Sequence, residues 1–129
     1  MRIIRACARL LFATIFVTGG WDVAKEPGPT RIQMAASIGV PQPEAAVRAN
    51  GIVMVTAGLA LALGFFPRFA AAILAASLAP TTVAGHPFWK ENDPMKRNGQ
   101  RVHFLKNLAM IGGLLLLATD SPRLHQSRS

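Results

Sequence analysis

The sequence predicts an all-α membrane protein, a bundle of four transmembrane helices. Three observations carry that prediction. Of 129 residues, 51% are hydrophobic and only 16% charged, against about 25% charged in an average soluble domain. The apolar residues gather into four blocks, each within the roughly 17–25 residues that cross a bilayer. Four such blocks leave too little polar sequence to cover a soluble surface. A soluble bundle needs polar outer faces, and Leu59-Ala60-Leu61-Ala62-Leu63 and Leu114-Leu115-Leu116-Leu117 have none.

The first block runs from Ile3 to Ala24, with Arg5, Arg9 and Asp22 near its ends. A cleaved signal peptide is the competing reading, but no small-x-small site follows it; Thr18-Gly19-Gly20 leads at once into Trp21 and Asp22. Lys25 to Glu44 forms a long connection, broken at Glu26-Pro27-Gly28-Pro29 and again at Gly39-Val40-Pro41. Between these breaks Arg31 to Ile38 is expected to form a short amphipathic helix. The second block, Ala49 to Phe66, holds eighteen residues without a charge. Phe66-Pro67-Arg68 is then so short a turn that the helices on either side must be antiparallel neighbours. The third block, Phe69 to Gly85, has seventeen uncharged residues. Its Pro80 should free the carbonyl of Ala76, with Ser77 and Thr81 nearby to satisfy exposed groups. His86 to Gln100 is expected to be a polar connection. The fourth block, Val102 to Thr119, is interrupted only by Lys106. The tail after Asp120 is short and polar, and is expected to fray. The spans are thus placed at about 3–24, 47–66, 69–86 and 102–119, within a single four-helix domain over 1–129. Small residues at spacing four (Ala71, Ala75 and Ala79, then Ala60 and Gly64, and Ala109 and Gly113) are expected to bring helices together.

Fourteen basic against six acidic residues give a net charge of +8. The basic residues fall at helix ends, not in a patch or stripe, so nucleic-acid binding is not expected. Four spans place both termini on one side. That side carries Arg2, Arg5, Arg9, Arg68, Arg123 and Arg128; the other carries eight basic residues. The rule that basic loops stay in the cytoplasm discriminates little here, but three arginines in the first nine residues favour a cytoplasmic N-terminus. Cys7 is the single cysteine. That excludes a disulfide framework, intrinsic dithiol exchange and an iron–sulfur ligand set. No metal site is expected.

Lys106 is the least expected residue. A charge within the membrane costs about 2.5–3.5 kcal/mol on insertion scales, and function is then the default hypothesis. Snorkelling to the interface is the competing reading. His103, Lys106 and Asn107 share a helix sector by their spacing, with Arg101 close by. Thr14, Thr18 and Asp22 form a polar stripe on the first helix, so Asp22 is expected to pair with Lys106 or Arg101. His86 and Trp89 end the third span on the same membrane side, and an interfacial aromatic belt is the competing reading of Phe88 and Trp89. The candidate site is therefore Asp22, His86, Trp89, Arg101, His103, Lys106 and Asn107. As haem ligands, His86 and His103 sit too near helix ends to be favoured.

Gly85-His86-Pro87-Phe88-Trp89, followed by Arg101-Val102-His103-Phe104-Leu105-Lys106-Asn107-Leu108-Ala109 and Gly112-Gly113, resembles the DoxX family of small four-helix integral membrane proteins. The resemblance extends to Gly19–Asp22 and to the second span leading into Gly64-Phe65-Phe66-Pro67-Arg68. It implies a bacterial inner-membrane protein linked to quinone-dependent redox metabolism or to oxidative-stress and thiol-handling enzymes. Two expectations follow. In the first, the protein is a non-catalytic or quinone-contacting membrane subunit of a redox assembly. In the second, it is a scaffold or anchor that recruits soluble oxidoreductases, its polar cluster purely structural. Neither gives it a self-contained catalytic motif. Quinone is the cofactor this reading admits, and the bilayer, quinone and soluble oxidoreductases are its partners. A transporter is disfavoured because the duplicated, broken-helix pattern is missing.

Overall fold

The structure, a computed structural model, describes residues 1–120. The expected fraying of the tail, and Arg123 and Arg128 with it, falls outside the described residues. The order of elements is α1 (Arg2–Lys25), α2 (Pro29–Ser37), α3 (Pro43–Leu63), α4 (Pro67–Gly85), a 3-10 turn (Phe88–Lys90) and α5 (Pro94–Ala118), with no strand among the described residues. Four of the helices are long and apolar enough to cross a membrane. They form an all-α membrane bundle in which α1, α3, α4 and α5 run alternately up and down.

Local sequence explains each boundary. Prolines open α2, α3, α4 and α5 in their first turn, where a missing N–H costs nothing. Gly64 ends α3 in a left-handed conformation (φ 77°). The Phe65 N–H reaches the Ala60 carbonyl at 2.9 Å and the Gly64 N–H reaches that of Leu61 at 3.2 Å, a Schellman closure. This stops α3 three residues before the expected Phe66. Phe66 itself carries a positive φ of 43° and caps α4, a strained conformation for a non-glycine residue. The amphipathic helix expected at Arg31–Ile38 is α2, begun two residues earlier by Pro29.

The largest departure lies in α5. It starts at Pro94, eight residues before the expected Val102, so half of the expected polar connection is helix. Asp93 is the reason: its side chain accepts from the Met95 N–H at 3.3 Å, an N-cap followed by proline at N1. The polar first turns of α5 carry the helix clear of the apolar region.

α1 packs mainly on α3, α4 on α5, and the two pairs join through α3 and α4. Phe16, Leu61, Leu74 and Leu114, one from each long helix, form the fully buried centre. Ala71 and Ala75 are buried there as expected, whereas Ala79 is exposed. The closest backbone approach is elsewhere, where α1 meets α3. A Cβ on Gly51 would stand 2.6 Å from both the Gly20 carbonyl oxygen and the Ala24 nitrogen, and one on Gly20 would stand 2.7 Å from the Gly51 oxygen. Gly20 and Gly51 are far apart in sequence, so no spacing rule pairs them.

Pro80 lies inside α4. One turn before it, the Ser77 carbonyl accepts from the Thr81 hydroxyl (2.8 Å) and from the Asn50 side-chain amide (3.3 Å), which also donates to Thr81 Oγ1 at 2.8 Å. The proline segment is therefore held by α3 as well as by its own helix.

Candidate functional site

Six of the seven candidate residues, all but Asp22, lie between the end of α4 and the middle of α5, and four of them fall into two groups. The first is a row of polar side chains. His86 caps α4, and its Nδ1 lies 2.7 Å from Gln100 Oε1 on α5. The His86 and His103 rings stack at 5.1 Å. Lys106 Nζ comes within 3.4 Å of His103 Nδ1. Gln100, His103 and Lys106 repeat every three residues, so one side of α5 carries them all. Lys106 and His103 are exposed. Side chains on a helix lean toward its N-terminus, and Lys106 accordingly reaches back one turn toward the polar start of α5.

The second group is aromatic. Phe88, Trp89 and Phe104 meet edge to face at centroid distances of 5.3–5.7 Å. At 100° per residue, Phe104 and Lys106 stand about 200° apart around α5. The aromatic triad and the cationic end of the row therefore do not share one slot. Asn107 lies between them and is buried. Arg101 is exposed.

Asp22 is not part of this arrangement. It is exposed, and the ion pairs among the described residues are Arg5–Asp120 at 3.2 Å and Arg48–Glu44 at 3.0 Å. The expected pair of Asp22 with Lys106 or Arg101 is thus not formed. The buried face of α1 is Ala13, Phe16, Gly20 and Val23, and Asp22 lies about 200° from Gly20. The stripe above it is also self-contained: Thr14 and Thr18 hydroxyls donate to the carbonyls of Leu10 and Thr14 in the same helix, at 2.9 and 2.7 Å.

For a quinone, the row fits in part. A quinone headgroup needs donors for its carbonyl oxygens and a flat wall. Lys106 and His103 supply donors, and the stacked imidazoles supply a wall open to the side. The indole of Trp89 belongs to the other group. Among the described residues no set of three His, Cys, Asp or Glu side chains converges on a metal position.

The structure brings together further residues that the candidate site left out. A cavity of about 530 Å³ opens between α2, α3 and α4, with Arg31, Asn50 and Thr81 as its polar members and Met34, Val47 and Pro80 among its apolar ones. Arg31 also borders a second, more polar cavity of about 360 Å³ together with Lys90, Glu91 and Gln100. The sequence signal for Asn50 was an amide inside an uncharged span, one helix away from an intrahelical proline.

A bundle of four helices long and apolar enough to cross a bilayer, with a row of polar side chains where α4 gives way to α5, defines a small multi-pass membrane protein. The chain belongs to the DoxX family, whose model matches residues 4–87. That match takes in α1 to α4 and stops within the His86–Trp89 segment, so the Phe104–Ala109 half of the sequence motif lies beyond it. The chain is also similar to the inner membrane protein YphA of Escherichia coli (strain K12), 32% identical over 116 residues, which is 89% of this chain and 81% of that protein. No solved structure matches it.

Proposed function

We propose that the protein is a non-catalytic membrane subunit serving a redox or oxidative-stress assembly of the bacterial inner membrane, and that the row Gln100–His86–His103–Lys106 is its contact with a quinone arriving from the lipid. The observation that supports this reading is the exposure of a cation and an imidazole, 3.4 Å apart, on a helix whose one other polar residue between Val102 and Ala118 is the buried Asn107. Of the long helices, only α4 packs substantially on α5, which leaves the row approachable from the side. A bound quinone supplies two-electron, two-proton chemistry; this chain would hold its carbonyl oxygens through Lys106 and His103 and orient it against the imidazole stack. Asn107 and Arg101 flank the row, and the Phe88–Trp89–Phe104 triad anchors that end of the bundle at the interface. Asp22 has no part in the contact. The test is quinone binding by the purified protein, with Lys106→Ala and His86→Ala beside it. Binding by the wild type that weakens in both variants is expected; a wild type that binds no quinone ends the proposal.

A second reading has its own support. Trp89 is 46% exposed and Met95 85% exposed on the connection and the first turn of α5, a surface suited to docking a soluble oxidoreductase. In that case affinity purification from membranes recovers redox enzymes, and replacing Lys90–Gln100 removes them. Three arginines near the start of α1, with no acid among them, support cytoplasmic termini.

A further inference from the structure

We infer that the cleft between α2, α3 and α4 is a binding site for one anionic membrane lipid, its acyl chain against Pro80 and its phosphate at Arg31. The inference does not rest on the quinone reading, which concerns α5. Three observations converge. The cavity of about 530 Å³ falls within the roughly 300–1,000 Å³ of small-molecule sites. Its walls are almost wholly apolar, with Met34, Ile38, Val47, Pro80 and Val83 among them. A continuous apolar wall at the depth of Pro80, about 8 Å along α4 from its Gly85 end, suits a hydrocarbon chain.

The second observation is Arg31. Its Nε is buried without a hydrogen-bond partner, and its Nη1 donates only to the Pro27 carbonyl at 3.3 Å. It joins neither of the ion pairs among the described residues. A half-buried guanidinium with unused donors calls for an anion, and its fork matches phosphate oxygens. The third observation is what surrounds it. Arg31 borders both the apolar cavity and the polar one, so it stands where a headgroup would meet a chain. Lys90, a second cation, lines the polar side and reaches Met34 Sδ of the apolar side at 3.5 Å. Glu91 lies on the same polar wall, and its carboxylate accepts from the Asp93 N–H at 3.3 Å instead of pairing with either cation. Basic pockets between transmembrane helices near one interface recognise anionic headgroups by this chemistry.

The experiment is native mass spectrometry of the full chain in mild detergent, titrated with phosphatidylglycerol, phosphatidylcholine, oleate or inorganic phosphate. Phosphatidylglycerol is expected to bind best. Arg31→Gln should weaken it about tenfold, as loss of charge-assisted hydrogen bonds does, and Arg31→Lys, which keeps the charge without the planar fork, should weaken it less but measurably. Ala46→Phe, which fills the cavity from α3, should weaken it as well. Lys25→Gln, an exposed cation outside the cleft, should have no effect. Thermal unfolding of each variant separates lost binding from lost folding, and Arg31→Lys carries the decision if Arg31→Gln does not fold. Equal binding of phosphatidylcholine, tighter binding of oleate, displacement by inorganic phosphate alone, or full binding by a folded Arg31→Gln would each overturn the inference.

Discussion

Arg48 donates to the carbonyls of Ala24 and Lys25 at 2.8 and 2.9 Å, and holds Glu44 with its other nitrogens at 3.0 and 3.3 Å. Those carbonyls belong to the last turn of α1, where no intrahelical donor exists and where a cation also meets the negative end of the helix dipole. Arg68 does the same for α5 through the Ala118 carbonyl at 3.1 Å. Two of the fourteen basic residues thus finish helices, which composition alone could not show. Arg48→Ala should destabilise the protein by about 1–2 kcal/mol, read as a lower unfolding midpoint in detergent. Arg5→Ala should cost less than about 1 kcal/mol, because both it and Asp120 are substantially exposed. The candidate side chains divide at this scale too. His103 and Lys106 were legible as neighbours from their spacing within one helix. The partnership of His86 with Gln100 was not, since it joins two helices across the 3-10 turn.

At the scale of elements, the contact between α1 and α3 depends on two glycines that face each other. Gly51→Ala already places a methyl group 2.6 Å from backbone atoms of α1, and backbone cannot yield as a flexible side chain can. It should destabilise the fold by about 1–3 kcal/mol, and Gly51→Leu should abolish the monodisperse species in size-exclusion chromatography. Gly112 gives the contrast. Nothing lies within 4 Å of its Cβ position, so Gly112→Ala should be neutral or stabilising by up to about 1 kcal/mol. The join between α3 and α4 is polar. Asn50→Ala removes the amide from Ser77 and Thr81; interhelical hydrogen bonds in membranes average about 0.6 and reach about 1.7 kcal/mol. The loss should shrink in a Pro80→Ala background if Asn50 serves the proline, which a double-mutant cycle measures.

Over the whole molecule, four crossings bring the start of α1 beside the end of α5, where Arg5 meets Asp120 at 3.2 Å. Reporters fused to the two ends should therefore report the same compartment, and the arginines of α1 lead us to expect the cytoplasm. Ends found in opposite compartments would contradict the fold, while two external ends would reverse only the orientation. The bundle is uneven. The two cavities that Arg31 borders and the polar row lie toward the end where α2, the 3-10 turn and the first turns of α5 meet, while an apolar cavity of about 540 Å³ beside Phe65 and Phe69 lies nearer the Arg5–Asp120 end.

The number of spans, their order and their alternating directions follow from the sequence itself, because hydrocarbon forces every backbone polar group in a crossing segment into its own helix. Turn chemistry likewise set the ends: Gly64, Pro67 and the Asp93-Pro94 pair act locally. What only the tertiary structure decided is which faces meet. In lipid no hydrophobic stripe singles out an inner face, so Gly20 against Gly51, Asn50 against Ser77, and the turning of Asp22 away from α5 depend on helix rotation. Rotation is fixed by the mutual fit of all the helices. The same fit brings His86 onto Gln100 and leaves Arg31 facing a cavity that no pattern in the chain announces.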